Sequence, residues 1–459
     1  MNVILTCRHL CVSLVVLAST LSQNITYAET IPATVVQHMR TIRAAPVKGE
    51  RFVRELDVDG DGRLTHEDAR LWQRLADAAQ SALKSRHMRS SIEDGYYLPG
   101  QEAQSPFSWV AIKDDQFDLE KVPVERWIDI AIEAKWLAMQ VQLLGPDVQV
   151  SDRPVGGSLS KALPGYDPVT MSPAQMCEAV SHLDLSAYRA AGLTPTATFD
   201  LDGTVWTGNI MESFWGAVID AKIIKEEAAP ILRSVLNGMS LVDPRLTAKY
   251  SANDAAREIL RRFEDRTLPS DARPTAKDVF LAILQSLQGL RVDDVRKIAR
   301  QAVEHGSSMY PPWDQRLFAT DGCTPRVLIE QLRKQGVDVY VITATLDVLG
   351  DEGATILGIA PDHVVGSRLL VRRGKYTGVL SEGPYWLKGE IMRQWLPSPP
   401  ILVFGDSPAS DFSMLQQAMV AGFTINSRAP MPARDRDEAG GRLIEVNYRG
   451  TMGDSSRLP

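Results

Sequence analysis

"TATFDLDGTVW" (residues 196–206) is an apolar run that ends in two carboxylates. Thr196 to Phe199 have the β-branched and aromatic character of a buried strand. Asp200 and Asp202 follow one leucine apart, and Gly203 and Thr204 stand where the chain must turn. Two later stretches share the design: "VDVYVIT" (337–343) ends in Thr343, and "ILVFGDSPASD" (401–411) delivers Asp406 and Asp411. Each is flanked by helical sequence, and helices alternating with short strands predict a parallel sheet covered on both faces. Ligands bind such sheets beyond the carboxyl ends of the strands, so the three polar strand ends predict one site.

These residue types suit a phosphoryl group. Carboxylates from separate strands hold Mg²⁺, a hard cation that prefers oxygen. One carboxylate attacks phosphorus while a second protonates the leaving oxygen and then activates water. A hydroxyl and a lysine bind the non-bridging oxygens, where transition-state charge resides. Lys388, in "GPYWLKGE" at a predicted helix start, supplies the lysine.

"DLDGT", "VYVIT", Lys388 and "GDSPASD", in that order, resemble the four motifs of the haloacid dehalogenase-like phosphohydrolase superfamily over residues 173–427. The resemblance implies a Rossmann-like doubly wound core with an inserted helical cap. It implies Asp200 as nucleophile, Asp202 as general acid/base, Thr343 and Lys388 as phosphoryl ligands, and Asp406 as a Mg²⁺ ligand. Asp411 would support the metal, and Asp202 would reach it through its backbone carbonyl. The pair of acids at one strand end is then explained, because one attacks and its neighbour handles the proton. Dehalogenases of the superfamily lack the second acid, and the transport ATPases carry a lysine after the nucleophile where this chain has Leu201. A phosphatase is therefore expected.

The insert between the first two motifs is similar to the helical cap of the phosphoserine phosphatase branch, and "VVGSRLLVRRGKYTGVLSEGP" to that branch's hairpin before the lysine. "GDSPASD" departs from that branch by one extra residue between its acids, a form similar to secreted phosphorylcholine phosphatases. In those relatives an acid faces the cationic end of the substrate, and Glu212 stands near that place. An exposed helix acid is the alternative for Glu212. Trp206 either lines the pocket or packs a helix.

A second acidic stretch, "DVDGDGRLTHED" (57–68), fits the twelve-residue EF-hand calcium loop. Asp57, Asp59 and Asp61 take positions one, three and five, and Gly62 takes the sharp turn. Arg63 would offer its carbonyl, Thr65 a direct or water-mediated contact, and Leu64 the apolar eighth position. The flanks "RFVREL" and "ARLWQRL" are expected to be helical. Position twelve is Asp68 rather than glutamate, so weaker Ca²⁺ binding or greater Mg²⁺ tolerance follows. A solvated acidic turn is the plain alternative, and half of a dockerin module is disfavoured because no second copy follows.

At 459 residues, with 23% charged and 44% hydrophobic residues, the composition is that of a soluble globular protein of two or three domains. A formal net charge of −7 without basic runs argues against nucleic acid or anionic membrane as partner. Residues 1–28 contain no acid, carry Arg8 early, run apolar through "LCVSLVVLASTL" and end in small residues at Ala28. That is the layout of a cleaved secretory signal and predicts a periplasmic or secreted protein. Of the four cysteines, Cys7 and Cys11 leave with it; Cys177 and Cys323 then form one disulfide or stay as buried thiols. The histidines are scattered.

The expected organisation is a signal (1–28), an EF-hand-like helical module (29–100), a helical segment (101–150) and a linker (151–172). The phosphohydrolase core (173–208 and 319–459) is interrupted by the cap (209–318). The expected activity is Mg²⁺-dependent hydrolysis of a small phosphorylated metabolite, phosphorylcholine- or phosphoserine-like, with Ca²⁺ bound in the N-terminal module. The rivals are a phosphotransferase and a calcium-dependent binding protein with a silent phosphatase fold.

Overall fold

The computed structural model describes residues 51–85, 110–113, 116–163, 170–317, 323–383, 388–426 and 443–448, with Val35, Met39 and Phe107. The expected signal segment, with Cys7 and Cys11, lies outside the described residues.

The N-terminal part is built on two long helices, α1 (His66–Ser85) and α2 (Val124–Leu144), which pack on each other. In α2, Ile130, Ala134, Leu137, Ala138 and Val141 recur at helical spacing and are buried, and Gly145 ends the helix with φ +82°. Between the helices lies a hairpin of β2 (Ala111–Lys113) and β3 (Gln116–Asp118). The acidic loop runs into β1 (Arg63–Leu64), which pairs antiparallel with β4 (Val148–Gln149) beyond α2. Trp72 of α1 is fully buried and donates Nε1–H to the carbonyl of Leu56, closing the loop onto its exit helix.

One expectation is corrected here. "RFVREL" is not the helix that would enter an EF-hand: Val53–Glu55 form a single 3₁₀ turn. The cause is pairing at long range, which offers these backbone groups partners outside any helix. Phe52 bridges Pro154, Val53 N–H donates to Arg153 O at 3.0 Å, and Arg54 N–H donates to Ser151 O at 3.2 Å. Residues 151–163, read from the sequence as linker, lie against the core, with Gly157 N–H and Leu159 N–H donating to Ala418 O and Met419 O.

The core begins with β5 (Thr170–Met171), α3 (Pro173–Ser181) and β6 (Thr196–Phe199). An insert of helices follows: α4 (Ile210–Asp220), α5 (Ala229–Asn237), α6 (Ala252–Glu264), α7 (Ala276–Ser286) and α8 (Val292–His305). The chain returns through α9 (Pro325–Lys334), β7 (Asp338–Leu346), α10 (Asp347–Ile356), and the strands β8 (Val364–Arg372) and β9 (Lys375–Glu382). It finishes with α11 (Lys388–Trp395), β10 (Pro400–Gly405), α12 (Pro408–Leu415), β11 (Ala421–Ile425) and β12 (Leu443–Val446).

Among the described residues the main sheet has eight strands in the order β5-β12-β11-β10-β6-β7-β8-β9. All neighbours are parallel except β8 and β9, which form an antiparallel hairpin. The chain goes from β6 to β7 on one side and later returns to β10 on the other, so the order reverses beside β6. Both β6 and β10 are buried along their whole length, as strands covered on two faces must be. Phe404 of β10 stacks on Phe199 of β6 at 4.2 Å and on Phe423 of β11 at 4.9 Å, a ring ladder that locks the register. Cys177 of α3 and Cys323, just before α9, form a disulfide with Cα atoms 5.9 Å apart, which settles the alternatives left open for the two thiols. No described helix is long and apolar enough to cross a membrane.

Candidate active site

In parallel sheets ligands bind at such a reversal, beyond the carboxyl ends of the strands that flank it. Asp200 N–H continues the ladder by donating to Phe404 O at 2.9 Å, so its carboxylate emerges where the strand stops. β7 pairs with β6 only as far as Val341 against Phe199, and its next residues overshoot the shorter strand. That overshoot brings Thr343 and Thr345 level with Asp200 and Asp202. Gly203, at φ +77°, makes the turn, and a Cβ there would meet Asp406 Oδ2 at 2.2 Å. On the other side, a Cβ on Gly405 would lie 2.7 Å from Asp411. The two glycines are required because the acids of two strand ends are pressed together.

Lys388 opens α11 and is 1% exposed. Its Nζ stands 2.6 Å from Asp411 Oδ1 and 2.9 Å from Asp200 Oδ1. Asp411 is saturated: Oδ1 also accepts from Ser410 Oγ, and Oδ2 accepts the N–H groups of Asp406 and Ser407 at 2.9 and 3.0 Å. Asp200 Oδ1, by contrast, is buried with the Lys388 ammonium at 2.9 Å and no backbone donor of the kind that holds Asp411.

Four acids face one lysine here. Burial, opposed by Lys388 and reinforced by Asp411 and Asp202, raises Asp200 to about 7. Burial and the charges of Asp200 and Asp411 raise Asp406 to about 8. Burial alone would lower Lys388, but Asp200 and Asp411 outweigh it and hold the ammonium charged. Carboxylate oxygens of Asp200, Asp406 and Asp411 lie within 4.8 Å of one another. The surplus of negative charge and the convergence of three carboxylates fit a hard divalent cation such as Mg²⁺, with Asp200 and Asp406 less committed to internal donors than Asp411.

Asp202 has a separate set of partners. Its Oδ1 accepts from Trp206 Nε1 at 3.1 Å and from Ile210 N–H, the start of α4, at 2.8 Å. Its Oδ2 accepts from Thr345 Oγ1. Trp206 is fully buried against Trp313 and Gly353, so it both packs and positions. Neither Trp206 nor Thr345 was assigned this role from the sequence; the only signal was the second threonine in "VITAT". Thr343 Oγ1 accepts from Thr345 N–H at 3.3 Å, leaving its own proton for an incoming oxygen. Glu212 sits in the first turn of α4, half-buried, two residues after the donor to Asp202.

The structure also brings Asp57, Asp59 and Asp61 together, their carboxylate oxygens within 4.8 Å. Asp68 does not join that group. It is buried, with Oδ1 accepting Val58 N–H and Oδ2 accepting the N–H and hydroxyl of Thr65. Arg63, through its guanidinium, pairs with Asp147 at 3.2 Å.

Residues 197–416 match the haloacid dehalogenase-like hydrolase family, and this segment is a domain of that kind. It contains Asp200, Asp202, Thr343, Thr345, Lys388, Asp406 and Asp411, and not the acids at 57–68. No curated protein matches the chain. Among solved structures, a phospho-aspartyl intermediate analogue of phosphoserine phosphatase is 18% identical, with a TM-score of 0.30, covering 56% of this chain and 96% of that one. A substrate-bound phosphoserine phosphatase complex is 17% identical, with a TM-score of 0.31 and the same coverage. A protein of unknown function from Bordetella pertussis Tohama I is 17% identical, with a TM-score of 0.34, covering 55% of this chain and 97% of that one. Likeness at this level says nothing about substrate.

Proposed function

We propose that the protein is a Mg²⁺-dependent phosphomonoesterase acting on a small phosphorylated metabolite through an aspartyl-phosphate on Asp200. The observation that carries this is the division of labour at one strand end: Asp200 faces Lys388, whereas Asp202, two residues on, is held by three donors of its own. In the first step Asp200 Oδ attacks phosphorus, the bond from phosphorus to the leaving oxygen breaks, and Asp202 gives that oxygen its proton. In the second, Asp202 takes a proton from water, the water oxygen bonds phosphorus, and the Asp200 ester opens to carboxylate and inorganic phosphate. Lys388 and Thr343 bind the non-bridging oxygens throughout. Asp200, Asp406 and the Asp202 carbonyl would hold Mg²⁺, which would supply the charge neutralisation that one lysine cannot. Asp411 supports that set by fixing Lys388 and the Asp406 loop.

A phosphorylcholine- or phosphoserine-like substrate is the finer reading, with Glu212 facing its ammonium group. The disulfide is what an exported protein carries, in keeping with a periplasmic or secreted site of action. The experiment is phosphate release from phosphorylcholine, phosphoethanolamine, O-phosphoserine and an aryl phosphate, each with Mg²⁺ and with chelator. Mg²⁺-dependent release is expected. Transfer to added alcohols in preference to water would favour the phosphotransferase reading, and no release from any substrate would favour a binding protein.

The loop at 57–68 is proposed to bind Ca²⁺, because three of its carboxylates already converge around one point. Weak affinity is expected, since Asp68 must give up internal hydrogen bonds to become a ligand. Titration calorimetry with Ca²⁺ on the wild type and Asp59→Ala tests this; equal binding by both would remove the loop from consideration.

A further inference from the structure

Four buried charged side chains, with the partly buried Glu55 beside them, cluster away from the acids at the strand ends. Glu133 of α2 offers one oxygen to Arg51 and the other to Arg393 of α11, the latter at 3.3 Å. Arg393 also lies 3.9 Å from Glu390, and Arg51 lies 3.9 Å from Glu55. The side chains of Arg51, Glu133, Arg393 and Glu390 are all 10% exposed or less. Burial pulls the Arg51 guanidinium down to about 10, with Glu55 opposing the shift, and lowers Arg393, with Glu390 opposing it; the two arginines also share Glu133 as an ion-pair partner.

The position of this cluster matters more than its energy. α11 is eight residues long; it begins with Lys388 in the active site and carries Arg393 on a different face, toward α2. Its remaining side is wedged against α12: Gly389 N–H donates to Ser413 Oγ, and a Cβ on Gly389 would meet the Ser413 carbonyl at 2.4 Å. α11 also packs on β7, with Ile391 and Met392 fully buried, which leaves the α2 side of the helix to be tethered by charge. The Glu133–Arg393 pair fixes it from the other side, and through Arg51 it joins the strap that leads into the acidic loop at Asp57.

We propose that Glu133 is a positioning residue for Lys388, acting through Arg393 and α11, so that the N-terminal helical part completes the active site. This role rests on the phosphatase reading only for its effect on turnover; the placement of Lys388 is measurable without any activity. The probe is amine acylation by a hydroxysuccinimide ester, read at Lys388 by peptide mass spectrometry. In the wild type, Lys388 is buried and ion-paired and should acylate slowly. In Glu133→Gln its acylation should rise about tenfold, and kcat should fall about 10- to 100-fold with a much smaller rise in KM, the penalty of a displaced catalytic group. Glu133→Asp keeps the charge and should recover part of both.

Glu133→Gln leaves two buried arginines facing an amide and so destabilises the fold. The double variant Glu133→Gln/Arg393→Met removes one of those charges and should restore much of the Tm. If Glu133 positions Lys388, acylation stays fast and kcat stays low in the double variant. Recovery of kcat together with Tm, or wild-type protection of Lys388 in Glu133→Gln, would overturn the proposal. Arg54→Ala, which removes a surface pair with Asp152 on the same strap, should change neither readout.

Discussion

Asp411 Oδ1 lies 2.6 Å from Lys388 Nζ, closer to it than the 2.9 Å of Asp200 Oδ1. The ammonium is thus anchored by Asp411 and only shared with Asp200, the proposed nucleophile. The second Asp411 oxygen holds the backbone that presents Asp406. One buried carboxylate therefore sets both Lys388, the proposed phosphoryl ligand, and the loop of a candidate metal ligand.

Asp406→Asn and Asp411→Asn should consequently differ in stability while both lose activity, by at least about 100-fold. Without metal, Asp406 is raised to about 8 by burial and by Asp200 and Asp411, so its ionisation opposes folding as pH rises from about 4 to about 8. At pH 8 in chelator, Asp406→Asn should raise Tm. Asp411→Asn should lower it, because buried Lys388 loses its nearest anion. Thermal scans of the two variants decide this, and a lower Tm for Asp406→Asn would count against the acid surplus.

The two acids of the opening motif should separate in pre-steady-state kinetics. With an activated aryl phosphate the leaving group needs little protonation, so Asp202→Asn should release about one equivalent of phenol in a burst and then stall. Asp200→Asn should give no burst. Stopped-flow absorbance in Mg²⁺ reads both. A burst from Asp200→Asn would remove it as nucleophile.

Thr345→Val should reduce kcat about 10- to 100-fold with KM little changed, since a hydrogen bond to a charged group contributes about 1.5–3 kcal/mol. The hydroxyl donates to Asp202, so its loss is expected to act on proton transfer rather than on ground-state binding. Steady-state kinetics on the best substrate of the panel measure the split. A KM effect alone would place Thr345 in substrate binding instead.

The strands that build the site were legible in the sequence because their physics is local. Thr196–Phe199, Val339–Ile342 and Ile401–Phe404 are apolar runs with a polar residue at the exit, and the sheet sets all three side by side. Asp200, Thr343 and Asp406 could be singled out as strand-exit residues for the same reason, whereas Lys388 stands at a helix start and was picked out by its motif. What escaped depends on distance. Thr345 reaches Asp202 across 143 positions, and Glu133 reaches Arg393 across an even longer stretch of chain. No periodicity encodes either pairing. The stretch 51–56 has helix-forming residues but takes a 3₁₀ turn, because residues 151–154 offer its backbone other partners. Tertiary pairing there overrides propensity.

The last prediction concerns an acid outside the catalytic cluster. Asp351 of α10 lines a cavity of about 450 Å³ with Val348, Leu369, Tyr376, Arg296 and Arg368. It is raised to about 7, first by burial and then by the neighbouring charge of Asp347, with Arg296 and Arg368 offsetting only part. An aspartate in the unfolded chain titrates near 4. Between about pH 4 and 7 the folded protein therefore binds the proton that the unfolded chain has released, and stability falls as pH rises through that window. Asp351→Asn abolishes the penalty without changing the shape of the side chain. Its Tm should match the wild type at pH 4 and exceed it by about 2 °C at pH 8, a modest shift because part of the group is solvated. Scanning calorimetry of both proteins from pH 4 to 9 tests this. A constant difference across the range would mean that Asn acts through packing, and a lower Tm at pH 8 would mean that Arg296 and Arg368 stabilise the carboxylate more than burial opposes it.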